Sequence, residues 1–201
     1  LKKMGAKIKI KNGYIIAEAK KGLKGSTIKF PSISVGATEN ALLAAFNAKG
    51  KTILKNCAIE PEIKDLISFL IKLGANIKLY GRTIIINESI NKKLKANHKV
   101  MFDRIEAGTY LIASALVGKR ITIDKINPEI IKTEINTLKK IGVKIKKDKS
   151  SITILNSKNL RKINISTKPY PGFPTDLQAQ LMVLLTQAEG TSKIKEDIFE
   201  N

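Results

Sequence analysis

Three stretches of this 201-residue chain share one pattern: Leu1-Lys2-Lys3-Met4-Gly5-Ala6-Lys7-Ile8, Ile71-Lys72-Leu73-Gly74-Ala75-Asn76-Ile77 and Leu138-Lys139-Lys140-Ile141-Gly142-Val143-Lys144-Ile145. Their glycines, Gly5, Gly74 and Gly142, fall 69 and 68 residues apart. A second set repeats as well: Ala48-Lys49-Gly50-Lys51-Thr52-Ile53, Val117-Gly118-Lys119-Arg120-Ile121-Thr122 and Ala188-Glu189-Gly190-Thr191-Ser192, with Gly50, Gly118 and Gly190 68 and then 72 residues apart. Two independent markers with one period mean that the chain is assembled from copies of one unit. The period is too long for a short solenoid repeat, so each copy is expected to be a small subdomain.

The unit can be read from its apolar spacing. Residues 36–49 place Ala37, Ala41, Leu42, Ala45, Phe46 and Ala48 on one face of a helix, which Gly50 closes before a strand at Thr52-Ile53-Leu54. Pro61 suits the first turn of a second helix with Ile63, Leu66, Ile67, Leu70 and Leu73 on its buried face and Gly74 as its stop. Ile77 and Leu79 alternate with polar neighbours, Gly81 turns the chain, and residues 83–86 return as a partner strand. The next copy predicts a helix over 104–117, a strand over 121–123, a helix opened by Pro128 and closed by Gly142, and a hairpin through Lys147-Asp148-Lys149. A third copy opens with a helix over 174–188. The chain begins on the tail of a helix and ends inside a copy, so a fragment of a longer protein is expected. Alternating helices and strands without a complete core in each copy point to α/β (α+β) repeats packed on shared helices. The polar stretch 92–101 is the expected boundary between two globular domains, 1–101 and 102–201.

Composition narrows the function classes. The chain is 43% apolar, enough for real cores, and its single Cys excludes an internal disulfide framework. No apolar run approaches a membrane span; Leu66-Ile67-Ser68-Phe69-Leu70-Ile71, for example, stops at Lys72. A soluble, cytoplasmic chain without membrane insertion is expected. The net charge of +20 raises the question of nucleic acid. All but four of the 37 basic residues are lysines, spread along the whole chain without aromatic residues between them. Bidentate phosphate and base recognition favour Arg, and stacking needs aromatic faces. Solvated lysine faces and an AT-rich codon bias therefore account for the charge better than a nucleic-acid partner does.

Several candidate motifs fail. Gly50-Lys51-Thr52 resembles the end of a phosphate-binding loop, but the required glycine is Ala45 and the order is helix before strand. No Gly-x-Gly-x-x-Gly element and no paired Cys/His spacing supports a dinucleotide or metal site. Cys57 is expected to be a small buried apolar residue, and His98 an exposed surface residue. Two segments remain open. Ser32-Ile33-Ser34-Val35-Gly36-Ala37-Thr38 runs into a helix N-terminus: either an ordinary start capped by Ser34 or Thr38, or backbone amides and hydroxyls for a phosphate or nucleotide. In Tyr170-Pro171-Gly172-Phe173-Pro174-Thr175-Asp176-Leu177-Gln178-Ala179-Gln180, two prolines and a glycine fix a loop that delivers Asp176 to a helix start. Its carboxylate either complements the helix dipole or accepts a proton from a substrate hydroxyl.

These two motifs, together with Glu60-Pro61-Glu62-Ile63, Asp103-Arg104-Ile105-Glu106-Ala107-Gly108-Thr109-Tyr110 and Phe199-Glu200-Asn201, resemble the UDP-N-acetylglucosamine enolpyruvyl transferase family along the whole chain. The run from Phe173 to Gln180 is specific to that family rather than to its sibling that makes enolpyruvylshikimate phosphate. The resemblance implies an inside-out α/β barrel of two lobes, each built of three βαβαββ subdomains of about 68–72 residues, in agreement with the glycine period. Residues 1–101 would be the later part of the first lobe and 102–201 the earlier part of the second.

The implied reaction moves the enolpyruvyl group of phosphoenolpyruvate to the 3-hydroxyl of UDP-N-acetylglucosamine, with release of phosphate. It is the first committed step of peptidoglycan synthesis, and so serves cell-wall biogenesis, cell shape and division. By motif, Asp176 matches the aspartate that contacts the sugar and takes the hydroxyl proton; Ser32, Ile33, Ser34 and Val35 match the segment holding the UDP part; Ile198 matches a nucleotide-sugar contact. Ser32 stands where some members carry lysine. Asp103 and Arg104 fall at the junction between lobes. The family's catalytic cysteine belongs to a loop before Leu1, and Cys57 does not match it; the residues that hold phosphoenolpyruvate also lie outside this chain. No cofactor and no metal is implied. The rival readings are an inert nucleotide-sugar- or RNA-binding module of the same fold and 3-phosphoshikimate 1-carboxyvinyltransferase.

Overall fold

A computed structural model describes residues 1–89, 92–93, 95–155, 157 and 159–198. The chain divides into two compact units, Leu1–Met101 and Phe102–Asn201.

The first unit opens on a single 3-10 turn, Lys2–Met4, followed by the hairpin β1 (Lys7–Lys11) and β2 (Tyr14–Glu18). One full copy of the repeat follows: β3 (Thr27–Lys29), α1 (Val35–Asn47), β4 (Thr52–Lys55), α2 (Pro61–Lys72), β5 (Asn76–Tyr80) and β6 (Thr83–Asn87). The sheet order is β3-β4-β6-β5, with β3 parallel to β4 and both other pairings antiparallel. Leu42, Leu54, Ile63, Leu70, Ile84 and Ile86 form its fully buried centre with Met4 from the preceding turn. Cys57 is also fully buried there, and desolvation pushes its thiol up to about 11. It is a core residue with no path to nucleophilic chemistry.

The second unit retraces the order. α3 (Arg104–Val117), β7 (Ile121–Asp124), α4 (Lys132–Ile141), β8 (Ile145–Lys147) and β9 (Ser151–Ile154) give the sheet β7-β9-β8, antiparallel throughout like β4-β6-β5. β10 (Asn164–Ser166), α5 (Gln178–Leu185) and β11 (Lys193–Lys195) then start another copy, with β10 parallel to β11 as β3 is to β4. Leu111, Ile131, Leu138, Ile141, Ile152, Leu177 and Leu181 are buried together. Each such side chain contributes about 1.5–3 kcal/mol relative to exposure.

The repeated glycines have one physical cause. Gly5, Gly74 and Gly142 have φ of 94°, 94° and 103°, and Gly50, Gly118 and Gly190 of 85°, 67° and 86°. Side-chain-bearing residues avoid that left-handed region. In the first set the closing turn is the same three times. The glycine amide reaches back three residues, to the carbonyls of Lys2, Ile71 and Lys139, and the next amide reaches back five, to those of Leu1, Leu70 and Leu138. This is the paired bonding of a Schellman motif, which satisfies carbonyls that a helix end would otherwise leave open.

Four expectations need correction. Gly50 does not close α1, which ends at Asn47 with an extended Ala48 as its C-cap; Lys49 bridges to Lys24 before Gly50 turns the chain. Pro128 does not open α4, which starts at Lys132. The Asn127 side chain accepts the Glu129 amide at 3.0 Å and its carbonyl accepts that of Ile130 at 3.1 Å, so a local turn holds Pro128 outside the helix. The helix expected over 174–188 is shorter: Thr175–Leu177 forms a 3-10 turn and α5 covers only Gln178–Leu185. His98 is not exposed: its side chain is only 9% accessible, its ring tilts against Phe69 at 5.4 Å, and Nε2 lies 3.0 Å from Asp65 Oδ2. With the Lys93 amide donating to the Leu73 carbonyl, these contacts strap the described residues of 92–101 onto α2.

Candidate functional site

The Ser32–Val35 segment belongs to the first unit and leads from β3 into α1. Ser34 is the N-cap, its hydroxyl accepting the Ala37 amide at 3.2 Å while its carbonyl accepts the Thr38 hydroxyl at 2.7 Å. Thr38 is fully buried, and its hydroxyl oxygen accepts the Ala58 amide at 3.0 Å, which ties the helix start to the chain after β4. Ile33 and Val35 are half-buried and pack against the core. Ser32 is exposed, and a Cβ added at Gly36 would meet nothing within 4 Å. The result is a capped helix start with open space over its first turn and an accessible hydroxyl just before it. Such a place can take the oxygens of an anion, the helix dipole adding to the hydrogen bonds.

Asp176 and Ile198 belong to the second unit. The loop before Asp176 is closed at its base, where the Lys168 amide donates to the Phe173 carbonyl at 3.0 Å and Thr167 bridges to Phe173. Within it the Tyr170–Pro171 peptide is cis and the Gly172 amide donates to Pro169. A Cβ on Gly172 would come within 2.4 Å of Lys168 Cβ and 3.0 Å of its carbonyl oxygen, so only glycine fits this return. The Thr133 hydroxyl, on α4, donates to the Pro171 carbonyl at 2.6 Å, and the Arg104 guanidinium lies 5.9 Å from the Tyr170 ring centre. Arg104 is itself buried and faces the buried Glu134 at 3.5 Å. Its neighbour Asp103 caps α3, accepting the amides of Ile105 and Glu106 at 2.8 and 3.0 Å.

Phe173, Pro174 and Leu177 are buried, yet Asp176 between them is exposed, and its carboxylate has no hydrogen bond or ion pair among the described residues. Pinned backbone with a solvent-facing carboxylate is a geometry in which the carboxylate can accept a proton from a bound hydroxyl. The Asp176 turn and Ile198 are brought together by Glu196. One of its oxygens accepts the Thr175 hydroxyl at 2.5 Å and the other the Ile198 amide at 2.5 Å. Sequence reading missed Glu196, because its partner Thr175 lies 21 residues away and no local pattern marks the pairing. Of the motifs singled out in the sequence, Phe199-Glu200-Asn201 lies outside the described residues.

The whole chain, residues 1–201, matches the profile of the family described as EPSP synthase (3-phosphoshikimate 1-carboxyvinyltransferase). Curated relatives include UDP-N-acetylglucosamine 1-carboxyvinyltransferases of Pelagibacter ubique (strain HTCC1062), 58% identical over 201 residues, and of Endomicrobium trichonymphae, 50% identical over 200. Both alignments cover all of this chain and 48% of the relative, so the chain spans about half the length of the curated relatives it matches. Among solved structures, the enolpyruvyl transferase NikO from Streptomyces tendae superposes with a TM-score of 0.86 at 24% identity, over 97% of this chain and 49% of that one. An EPSP synthase from Acinetobacter baumannii gives 0.67 at 21%, over 96% of this chain and 47% of that one. The fold is that of the enolpyruvyl transferases, and the chain belongs to the EPSP synthase (3-phosphoshikimate 1-carboxyvinyltransferase) family.

Proposed function

We propose that this chain is part of a UDP-N-acetylglucosamine 1-carboxyvinyltransferase, with residues 1–101 from the later part of one lobe and 102–201 from the earlier part of the other. The observation that carries this reading is 58% identity along the entire chain to a relative of that name. A second relative of that name, at 50% identity along the chain, likewise favours the nucleotide sugar over shikimate 3-phosphate as acceptor.

In the proposed reaction the 3-hydroxyl oxygen of UDP-N-acetylglucosamine bonds to C2 of phosphoenolpyruvate while C3 gains a proton. The hydroxyl proton passes to the Asp176 carboxylate. The tetrahedral adduct then loses phosphate from C2 and a proton from C3, which restores the double bond in the product. Asp176 serves this step because its backbone is fixed and its carboxylate is exposed and uncommitted. Ser32, Ile33, Ser34 and Val35 would hold the uridine diphosphate through the Ser32 hydroxyl and the backbone at the α1 start, and Ile198 would contact the nucleotide sugar. The step belongs to peptidoglycan synthesis in the cytoplasm, and cell shape and division depend on it. No described helix is long and apolar enough to cross a membrane.

Asp176→Asn in the full-length protein tests the base. Turnover should fall by about 100-fold or more, the scale of general-base catalysis, with a thermal midpoint close to wild type. Wild-type turnover in that variant would remove Asp176 from the mechanism.

A further inference from the structure

Glu196 follows β11, in a segment clamped at the root of the Asp176 loop. The Thr167 amide donates to the Lys195 carbonyl at 2.9 Å, and the Asp197 amide donates to the buried Thr167 hydroxyl at 3.1 Å. Lys195 and Asp197 turn to one side and pair with each other at 2.8 Å. The alternation of an extended chain sends Glu196 to the other side, where it is half-buried. There its two oxygens are divided between Thr175 Oγ1 and the Ile198 amide, both at 2.5 Å. Bonds to an ionised acceptor are roughly twice as strong as neutral ones, so this carboxylate is a stiff link.

What the link joins gives it meaning. Asp176 has no partner of its own among the described residues, so the direction of its carboxylate is set by the backbone of its turn. Leu177 anchors one side of that turn in the core, against Gly108 of α3. The Thr175 hydroxyl on Glu196 anchors the other. The same carboxylate fixes the amide of Ile198.

We propose that Glu196 is a positioning residue for the transfer, holding the Asp176 turn with one oxygen and the nucleotide-contacting Ile198 backbone with the other. This rests on the reading of Asp176 as base and Ile198 as nucleotide contact. Glu196 acts through Thr175 and the Ile198 amide. It fixes the base and the acceptor's binding segment relative to each other.

The test uses the full-length protein as wild type, Asp176→Asn, Glu196→Ala, Glu196→Gln and Thr175→Val, with kcat and KM for UDP-N-acetylglucosamine measured for each. Glu196→Ala should lower kcat by about tenfold or more and raise KM several-fold, since small misplacements at a reacting centre are costly. Glu196→Gln should recover most of the loss, because the amide oxygen can accept the Ile198 amide while its nitrogen donates to Thr175 Oγ1. Thr175→Val cuts only the link to the base, so kcat should fall while KM stays. Wild-type kcat in Glu196→Ala, or Glu196→Gln as impaired as Glu196→Ala, overturns the proposal. Should Glu196→Ala not fold, wild-type kcat in Thr175→Val overturns it alone. The two readings fail differently. An inactive wild type defeats the transferase assignment and the positioning with it. An active wild type with Asp176→Asn impaired and the Thr175 and Glu196 variants unimpaired defeats the positioning only.

Discussion

Single residues in this chain are decided by whether their polar atoms are spent on the fold. Cys57 is spent: it is fully buried, and burial raises its thiol to about 11. The native state therefore keeps the Cys57 proton where the unfolded chain, with an ordinary thiol near 9.0, has released it. The stabilisation of the native state is intact below about pH 9 and is lost as pH rises through about 11. Cys57→Ala should flatten that part of the stability profile; equal alkaline loss in wild type and variant by urea titration would contradict this. Ser34 and Asp103 are also spent, as helix caps worth about 1 kcal/mol each. Asp176 is not, which sets it apart from Asp103, the acidic cap of α3 in the same unit. The identity of Asp176 as a loop-delivered carboxylate was legible from its prolines and glycine. The roles of His98 and Glu196 were not, because each depends on a partner more than 20 residues away.

At the scale of elements, the first glycine set, Gly5, Gly74 and Gly142, marked the closing turns because a left-handed turn is a local backbone requirement, and local requirements can be read from sequence; Gly50 and Gly190 lie beyond the ends of α1 and α5. The starts of α4 and α5 could not be read so well. Asn127 diverts the backbone into a side-chain-bonded turn, and the 3-10 turn before α5 depends on where Leu177 docks on α3. That docking makes Gly108 a sharp test. A Cβ there would lie 2.4 Å from Leu177 Cδ1 and 3.2 Å from Cδ2, and Leu177 is fully buried. Alanine gains about 1 kcal/mol of helix propensity over glycine, whereas overpacking a filled core costs about 1–3 kcal/mol. The second effect wins. Gly108→Ala should lower the urea midpoint modestly and displace the Asp176 turn, so that kcat falls by more than the stability loss explains. A variant more stable than wild type with unchanged kcat would show that Leu177 moves aside freely.

At the scale of the whole molecule, the repeat explains how one sheet plan recurs. The order β4-β6-β5 returns as β7-β9-β8, and the parallel pair β3 and β4 returns as β10 and β11. The fold class was legible because the copies reinforce one another along 201 residues. The net charge of +20 carried far less information, since lysines spread over solvated faces constrain no fold. What the family shares is the enolpyruvyl transferase fold; what separates its members is the acceptor. The most direct measurement is therefore phosphate release by the full-length protein with phosphoenolpyruvate and either UDP-N-acetylglucosamine or shikimate 3-phosphate, with the product weighed by mass spectrometry. The account predicts release only with the nucleotide sugar, and a product heavier than it by one enolpyruvyl group. Turnover with shikimate 3-phosphate alone, or with neither acceptor, would contradict it.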